Sequence, residues 1–401
     1  MGVRWVASQG RRRSALRTVR TALVLGVIAT TVATLRPSPG PTGSSSGTMS
    51  QVPPASPVAS PATAPGTASD PPAPGDVYLA LGDSVAAGIG AGTPGEDGYP
   101  ALLHGYLGRQ AGHPVALVNL AVPGESSDSL VSGGQLDRAL RAIADAQGVG
   151  RRVSPVTLTI GGNDILRAGS DPAAREGVIA GVATNVARTL EALRGALLPA
   201  PDGRQSDLVV TTYYDLTGGD PTLPGTDEWW VARLNTALAE QAAAAGALAV
   251  EVQAAFAGRQ DELTWAPADI HPTDAGHRLL ADLTWRALGY DREPPMVEIL
   301  RPVAGVLPRQ TPTVAARIGD RVGVVAAALW VDGQPIGRLT FVASTGEYVA
   351  LWDTLALPPG PRAVEVRATD AAGNVGVGTL AVEVPPAAAT SGHAAPYTTG
   401  A

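Results

Sequence analysis

The 401-residue chain contains no cysteine and no lysine; all 29 of its basic residues are arginine. Without cysteine there can be no disulfide framework, no zinc–thiolate site and no thiol nucleophile. Without lysine there can be no Schiff-base chemistry, no serine–lysine dyad and no phosphate-loop lysine. No acidic residue precedes Asp70, whereas arginine stands at 4, 11, 12, 13, 17, 20 and 36. The remainder sets 29 − 7 = 22 arginines against 36 acids, a charge of about −14. An acidic body argues against nucleic acid as a partner, because phosphate binding needs clustered positive charge. The composition is 45% hydrophobic and 16% charged, enough for a packed core in two domains.

The segment 21–35 is apolar and follows the arginine-rich lead. It falls short of the roughly twenty residues of a membrane span. A basic lead with a short apolar run reads as an export signal. Its small-residue cleavage pattern, Thr31-Val-Ala33, is poor, so an uncleaved N-terminal anchor is the alternative within residues 1–35. The chain is thus expected outside the cytoplasm, secreted or anchored. Residues 36–75 are rich in Pro, Ser, Thr, Ala and Gly and read as a disordered linker. Within it, Gly43-Ser-Ser-Ser-Gly47 matches the G-x-S-x-G nucleophile pattern but lacks the strand and helix that pattern requires.

Between Val77 and Gly289 short apolar runs alternate with helical periods. Strands are expected at Val77–Leu81, Val115–Asn119, Val156–Ile160, Leu208–Thr212 and Ala247–Val252. Apolar stripes at Leu136/Leu140/Ile143, Val178–Leu197, Trp230–Leu238 and Leu279–Leu288 mark helices. This alternation predicts an α/β fold with a five-stranded parallel sheet covered on both faces, spanning 76–291. Residues 294–385 instead show short β-rich runs, at Met296–Leu300, Val324–Val331, Arg338–Val342, Tyr348–Trp352, Ala363–Ala368 and Gly378–Val384. These predict an all-β sandwich, with Trp330 and Trp352 in its core. Residues 386–401 read as a disordered tail.

Ligands on a parallel sheet bind at the carboxyl ends of the strands. Four polar motifs fall there: Gly82-Asp83-Ser84, Asn119-Leu-Ala-Val-Pro-Gly124-Glu125, Gly161-Gly-Asn163-Asp164 and Asp269-Ile-His271-Pro-Thr-Asp-Ala-Gly-His277. Together they supply what ester hydrolysis needs. Ser84 would be the nucleophile and His271 the base. Backbone N–H groups of Ser84 and Gly124, with the Asn163 amide, would face the oxyanion. Asp83 and Asp164 are expected to bond local backbone. Of the remaining histidines, His277 is expected to pack in the last helix, and His104 and His113 to be structural or exposed. His393 lies in the tail. A His271/His277 metal site does not fit ligand spacing. Gly90-Ala-Gly92-Thr-Pro-Gly95 matches a dinucleotide fingerprint only formally, since Pro94 interrupts it.

These four motifs, in this order, resemble the SGNH hydrolases, also called GDSL esterases and lipases, over about residues 76–289. The resemblance implies a flavodoxin-like three-layer α/β/α sandwich, with the family's Ser, Gly, Asn and His at Ser84, Gly124, Asn163 and His271. It implies no metal or organic cofactor, and a substrate that is a small-molecule, lipid or glycan ester. In one place the chain departs from the family. The aspartate usual three residues before the histidine is Ala268 here, and Asp269 stands two before. Three arrangements stay open: Asp269 reaches the His271 ring, a backbone carbonyl near Ala268 replaces the carboxylate, or Asp269 caps the turn. The stretch Val364–Asn374 resembles bacterial immunoglobulin-like modules, which implies a spacer or adhesion unit and contact with the cell envelope. A second reading follows from that module and the export signal: a cell-surface binding protein with a degenerate hydrolase domain.

Overall fold

A computed structural model of the chain describes residues 72–201, 203–307, 310–355 and 357–386. The export segment, the linker with its Gly43–Gly47 pattern, His393 and the tail lie outside the described residues. Among the described residues no helix is long and apolar enough to cross a membrane.

The α/β part is built on strands β1 (Val77–Gly82), β2 (Ala116–Asn119), β3 (Val153–Thr159), β4 (Leu208–Thr211) and β5 (Leu248–Val250). All pairings are parallel, in the order β2-β1-β3-β4-β5. This is the flavodoxin-like order. The strands read as apolar runs because both faces are covered. Val77, Leu79 and Leu81 of β1 point into one core, Tyr78 and Ala80 into the other. The first core is closed by helices α3 (Ser127–Ser132), α4 (Gln135–Gly148), α6 (Pro172–Ala196) and α7 (Asp227–Ala244). The second is closed by α2 (Tyr99–Ala111), α8 (Gln253–Phe256), α9 (Gln260–Leu263) and α10 (Asp274–Leu288). Two short helices, α1 (Pro94–Asp97) and α5 (Gly162–Arg167), lie next to the strand-end loops. The five strands and the three-layer sandwich are those expected from the sequence.

α6 shows how local sequence sets an element. Asp171 caps its N-terminus by accepting from Ala173 N–H, and Pro172 takes the first position, where no N–H is needed. Its buried stripe runs Ile179, Val182, Val186, Leu190 and Leu193. Val178, assigned to that stripe from periodicity, is only partly buried. The last strand end also differs from expectation: α8 and α9 intervene between β5 and His271, because four-residue helices are too short to show a period.

The C-terminal part is a two-sheet all-β structure. Its strands are β6 (Met296–Arg301), β7 (Gly305–Val306), β8 (Thr313–Gly319), β9 (Val324–Val331), β10 (Gln334–Arg338), β11 (Thr340–Val342), β12 (Glu347–Leu351), β13 (Gly360–Asp370) and β14 (Val375–Val384). One sheet runs β10-β9-β13-β14-β7, the other β11-β12-β8-β6. Val314, Leu329, Trp352, Val364 and Val366 fill the space between. Strand β8 escaped the sequence reading because Thr-Val-Ala-Ala-Arg-Ile-Gly is poor in the bulky β-formers that mark strands. Trp330 is a correction: it lies outside that core, with the Arg367 guanidinium 4.0 Å from its ring centre, since its neighbours Leu329 and Val331 take the inward positions of β9.

Leu190 is 1% exposed in the first core. Leu190→Ala should lower unfolding free energy by about 2–5 kcal/mol through lost burial and a residual cavity. Urea denaturation checks this; a loss under about 1 kcal/mol would mean the helix does not pack as described.

Candidate active site

Three of the four motif loops leave neighbouring strands, β1, β2 and β3, on either side of the point where the strand order reverses. Ser84 follows β1 in a tight turn in which Ala87 N–H donates to Asp83 O and Ile89 N–H to Ser84 O. Asp83 is buried. Its Oδ1 accepts from Val85 N–H at 2.9 Å, as expected for a local turn. Its Oδ2 accepts from the Tyr213 hydroxyl at 2.5 Å, a partner 130 residues away that no motif announces.

The second loop is a turn in which Glu125 N–H donates to Val122 O. Pro123 and Gly124, with Gly124 at φ 83°, suit the central positions of a type II turn, which only glycine fills without strain. Arg167 Nη2 donates to Gly124 O at 2.7 Å and pins the turn. Asn119 Nδ2 donates to Ala86 O, which ties this loop to the Ser84 turn. Gln135, fully buried at the start of α4, accepts from Gly82 N–H and donates to Gly82 O and Glu125 Oε2. Sequence reasoning missed this glutamine, because one polar residue opening an amphipathic helix carries no signature.

In the third loop Asn163 Nδ2 donates to Glu125 O at 2.9 Å, so one of its two amide hydrogens stays available. Asp164 does bond backbone, but not local backbone. It accepts from Ser127 N–H and Oγ, joining α5 to α3. Among the described residues, neither the Ser84 nor the Gly124 N–H has an acceptor.

The fourth segment is folded onto the Ser84 loop. Trp265 Nε1 donates to Gly90 O at 2.8 Å, and Gly92 N–H to Asp274 Oδ1 at 2.7 Å. A Cβ on Gly90 would stand 2.8 Å from His271 Cβ and 2.2 Å from Pro272 O, so the two backbones approach as closely as a glycine allows. His271 is also near enough for its charge to act on Asp83. Asp269 Oδ1 lies 2.5 Å from His271 Nδ1 and also accepts the His271 N–H. A carboxylate on Nδ1 holds the proton there and leaves Nε2 as the basic nitrogen. Among the described residues no hydrogen bond joins Ser84 Oγ to His271, whose Nδ1 is held by Asp269. Such contacts commonly tighten only with substrate present.

His277 is elsewhere. Its Nδ1 accepts from Tyr99 N–H, so Nε2 carries the proton and donates to Ile89 O. Burial lowers its pKa. It is a neutral clamp between α10, α2 and the Ser84 loop. His104 bonds Val115 O from α2, and His113 is exposed. Tyr214, stacked on Phe256, donates to Ile270 O and steadies the His271 loop.

A serine turn whose loop lies against a histidine–carboxylate pair, with backbone N–H groups at Ser84 and Gly124 that have no acceptor among the described residues, holds the groups that acyl transfer needs. Residues 80–279 match the GDSL-like lipase/acylhydrolase family. The chain belongs to this family through its α/β domain. It is an ester-hydrolysing serine hydrolase. Solved structures similar to this GDSL-like hydrolase include a lipase, Lip_vut3, from a goat rumen metagenome, at 21% identity and TM-score 0.44, covering 54% of this chain and 98% of that one. An acetylxylan esterase, Axe2, from Geobacillus stearothermophilus has 20% identity and TM-score 0.42, covering 55% and 98%. An α/β hydrolase, LAE5, from the metagenome of Lake Arreo, Spain, has 23% identity and TM-score 0.39, also covering 55% and 98%. No curated protein matches the chain.

Burial raises the Asp83 carboxyl from 3.8 to about 6, against the opposing pull of the Tyr213 hydroxyl, the Val85 N–H and His271. The folded state therefore holds this proton more tightly than the unfolded chain between roughly pH 4 and 6. Stability contributed by Asp83 falls as pH rises through that window and is constant above it. The loss amounts to about 3 kcal/mol. Asp83→Asn should remove this component, so urea denaturation at pH 4, 5, 6 and 7 should show a smaller decline than in the parent hydrolase. Identical profiles would show that Asp83 titrates as an ordinary carboxylate.

Proposed function

We propose that this hydrolase cleaves carboxylic esters outside the cytoplasm through an acyl-serine intermediate on Ser84. His271 Nε2 takes the Ser84 proton as Oγ attacks the carbonyl carbon, then returns it to the departing alkoxide. Asp269 holds the ring in the productive tautomer and stabilises the imidazolium that forms. The N–H groups of Ser84 and Gly124 and the free amide hydrogen of Asn163 receive the oxyanion. Water, activated by the same histidine, then releases the acid. The observation that carries this reading is the 2.5 Å Asp269–His271 pair on a segment bound to the Ser84 loop. Of the three arrangements open from the sequence, we adopt the one in which Asp269 reaches the ring, and with it a triad rather than a dyad.

The substrate class follows from chemistry rather than from pocket shape: a small-molecule, lipid or glycan ester, with no cofactor required. Export is supported by the arginine-rich lead and the apolar segment 21–35. We read residues 76–291 as the hydrolase domain and residues 294–385 as an immunoglobulin-like spacer that meets the cell envelope. Intact donors and an intact histidine–carboxylate pair favour this reading over a degenerate surface-binding protein.

Hydrolysis of short and medium p-nitrophenyl esters by the purified chain tests the proposal. Ser84→Ala should reduce kcat by about 10³-fold or more and abolish labelling by a fluorophosphonate. Equal turnover by parent and variant would overturn it. Asn163→Ala should cost about 10²–10³ in kcat with little change in KM, as expected for a donor used mainly in the transition state. Asp269→Asn should lower kcat by up to about 10⁴ through the wrong tautomer. Near-normal turnover in that variant would return the role to the backbone.

A further inference from the structure

Three aspartates outside the catalytic region converge from separate segments. Asp291 lies just after α10, Asp320 follows β8, and Asp370 ends β13. One carboxylate oxygen from each lies within 4.8 Å of the other two. Asp370 is fully buried, Asp291 is 5% exposed, and Asp320 is partly exposed.

Their hydrogen bonds leave the cluster incomplete. Asp370 is served by Asn374, through the backbone N–H to Oδ1 at 2.8 Å and Nδ2 to Oδ2 at 2.9 Å. Asp320 Oδ1 accepts from the N–H groups of Val322 and Gly323 at 2.8 and 2.6 Å. Asp291 Oδ1 accepts only from Glu293 N–H, at 3.2 Å, and its Oδ2 is enclosed with no hydrogen-bond partner. A buried carboxylate oxygen without a donor is costly, and two like charges beside it make it more so. No arginine offsets them: among the described residues, none forms an ion pair with these three carboxylates. Arg286 gives its Nε–H to the Ala371 carbonyl instead.

We propose that Asp291, Asp320 and Asp370 form a calcium site that fastens the segment after α10 to the loops of the β-sandwich. The donors are all hard oxygens, with no imidazole or thiolate among them, which favours calcium over zinc or copper. Oxygens bound to one calcium at about 2.3–2.6 Å stand up to about 5 Å apart, and the three oxygens here fall within that spread. Magnesium, at about 2.0–2.1 Å and strictly octahedral, tolerates less variation in donor placement than calcium does. The same contact region already shares apolar packing: Val322 and Ala371 join Trp285 and Tyr290 in one buried cluster. A cation there would neutralise the buried charge and lock three backbone segments at once. The three residues are 29 and 50 positions apart along the chain (320 − 291 and 370 − 320), so no ligand spacing in the sequence marks them.

The test uses the full chain, stripped with EDTA and titrated with calcium chloride by calorimetry, and its thermal unfolding. It makes no use of ester hydrolysis, so its outcome is independent of the catalytic proposal. One calcium per chain is expected to bind, and saturation should raise Tm by roughly 5 °C, with a smaller shift in equal magnesium. Asp291→Asn and Asp320→Asn should each weaken binding at least tenfold. Both variants, in EDTA, should be no less stable than the parent, because each removes a like charge. No binding heat and no Tm shift up to about 10 mM calcium would overturn the proposal. So would a calcium response unchanged in both variants. Were a variant to fail to fold, the parent's titration would still decide the matter.

Discussion

Both faces of the parallel sheet are sealed by helices, so a polar side chain can meet a substrate only where a strand ends. That constraint organises the whole α/β domain. β1, β2 and β3 each terminate in a loop that carries one of the residues proposed as nucleophile or oxyanion donor, and the strand order reverses between β1 and β3. The strands themselves carry no chemistry. They hold three loops at fixed separation, and sheet hydrogen bonding makes that separation hard to change.

The histidine is different, because no strand end places it directly. It arrives on a segment that follows two short helices and is secured by cross-loop bonds: Trp265 to Gly90, Asp274 to Gly92, His277 to Ile89. Gly90 matters here for its missing side chain, which lets the His271–Pro272 backbone close on the serine loop. Beneath them Asp83 is buried, held between Val85 and Tyr213 with its pKa drawn toward neutrality. The floor of the site is thus a polar network inside the core, where loss of one partner leaves another unsatisfied.

The α/β part was readable because its chemistry is local. Apolar runs alternating with amphipathic periods gave five strands and the main helices. Three of the four motifs stood at strand ends, and each of the four keeps its key residue within a few positions of a glycine or an aspartate. The β-sandwich was less readable. β8 is alanine-rich, and Trp330 faces outward because the register of β9 sends its neighbours in. Short helices such as α8 and α9 carry too few residues for a period to appear.

The sequence by itself determined the element types, the strand-end placement of Ser84, Gly124 and Asn163, and the presence of a histidine with an aspartate two residues before it. Tertiary structure alone decided that Asp269 turns onto His271 Nδ1, that Tyr213 and Gln135 brace the strand ends, and that Asp291, Asp320 and Asp370 meet. The division has one physical cause. Periodicity and turn chemistry act over a few residues and are written in order along the chain. Side chains from distant segments meet only after the core has packed, and nothing in their spacing records it.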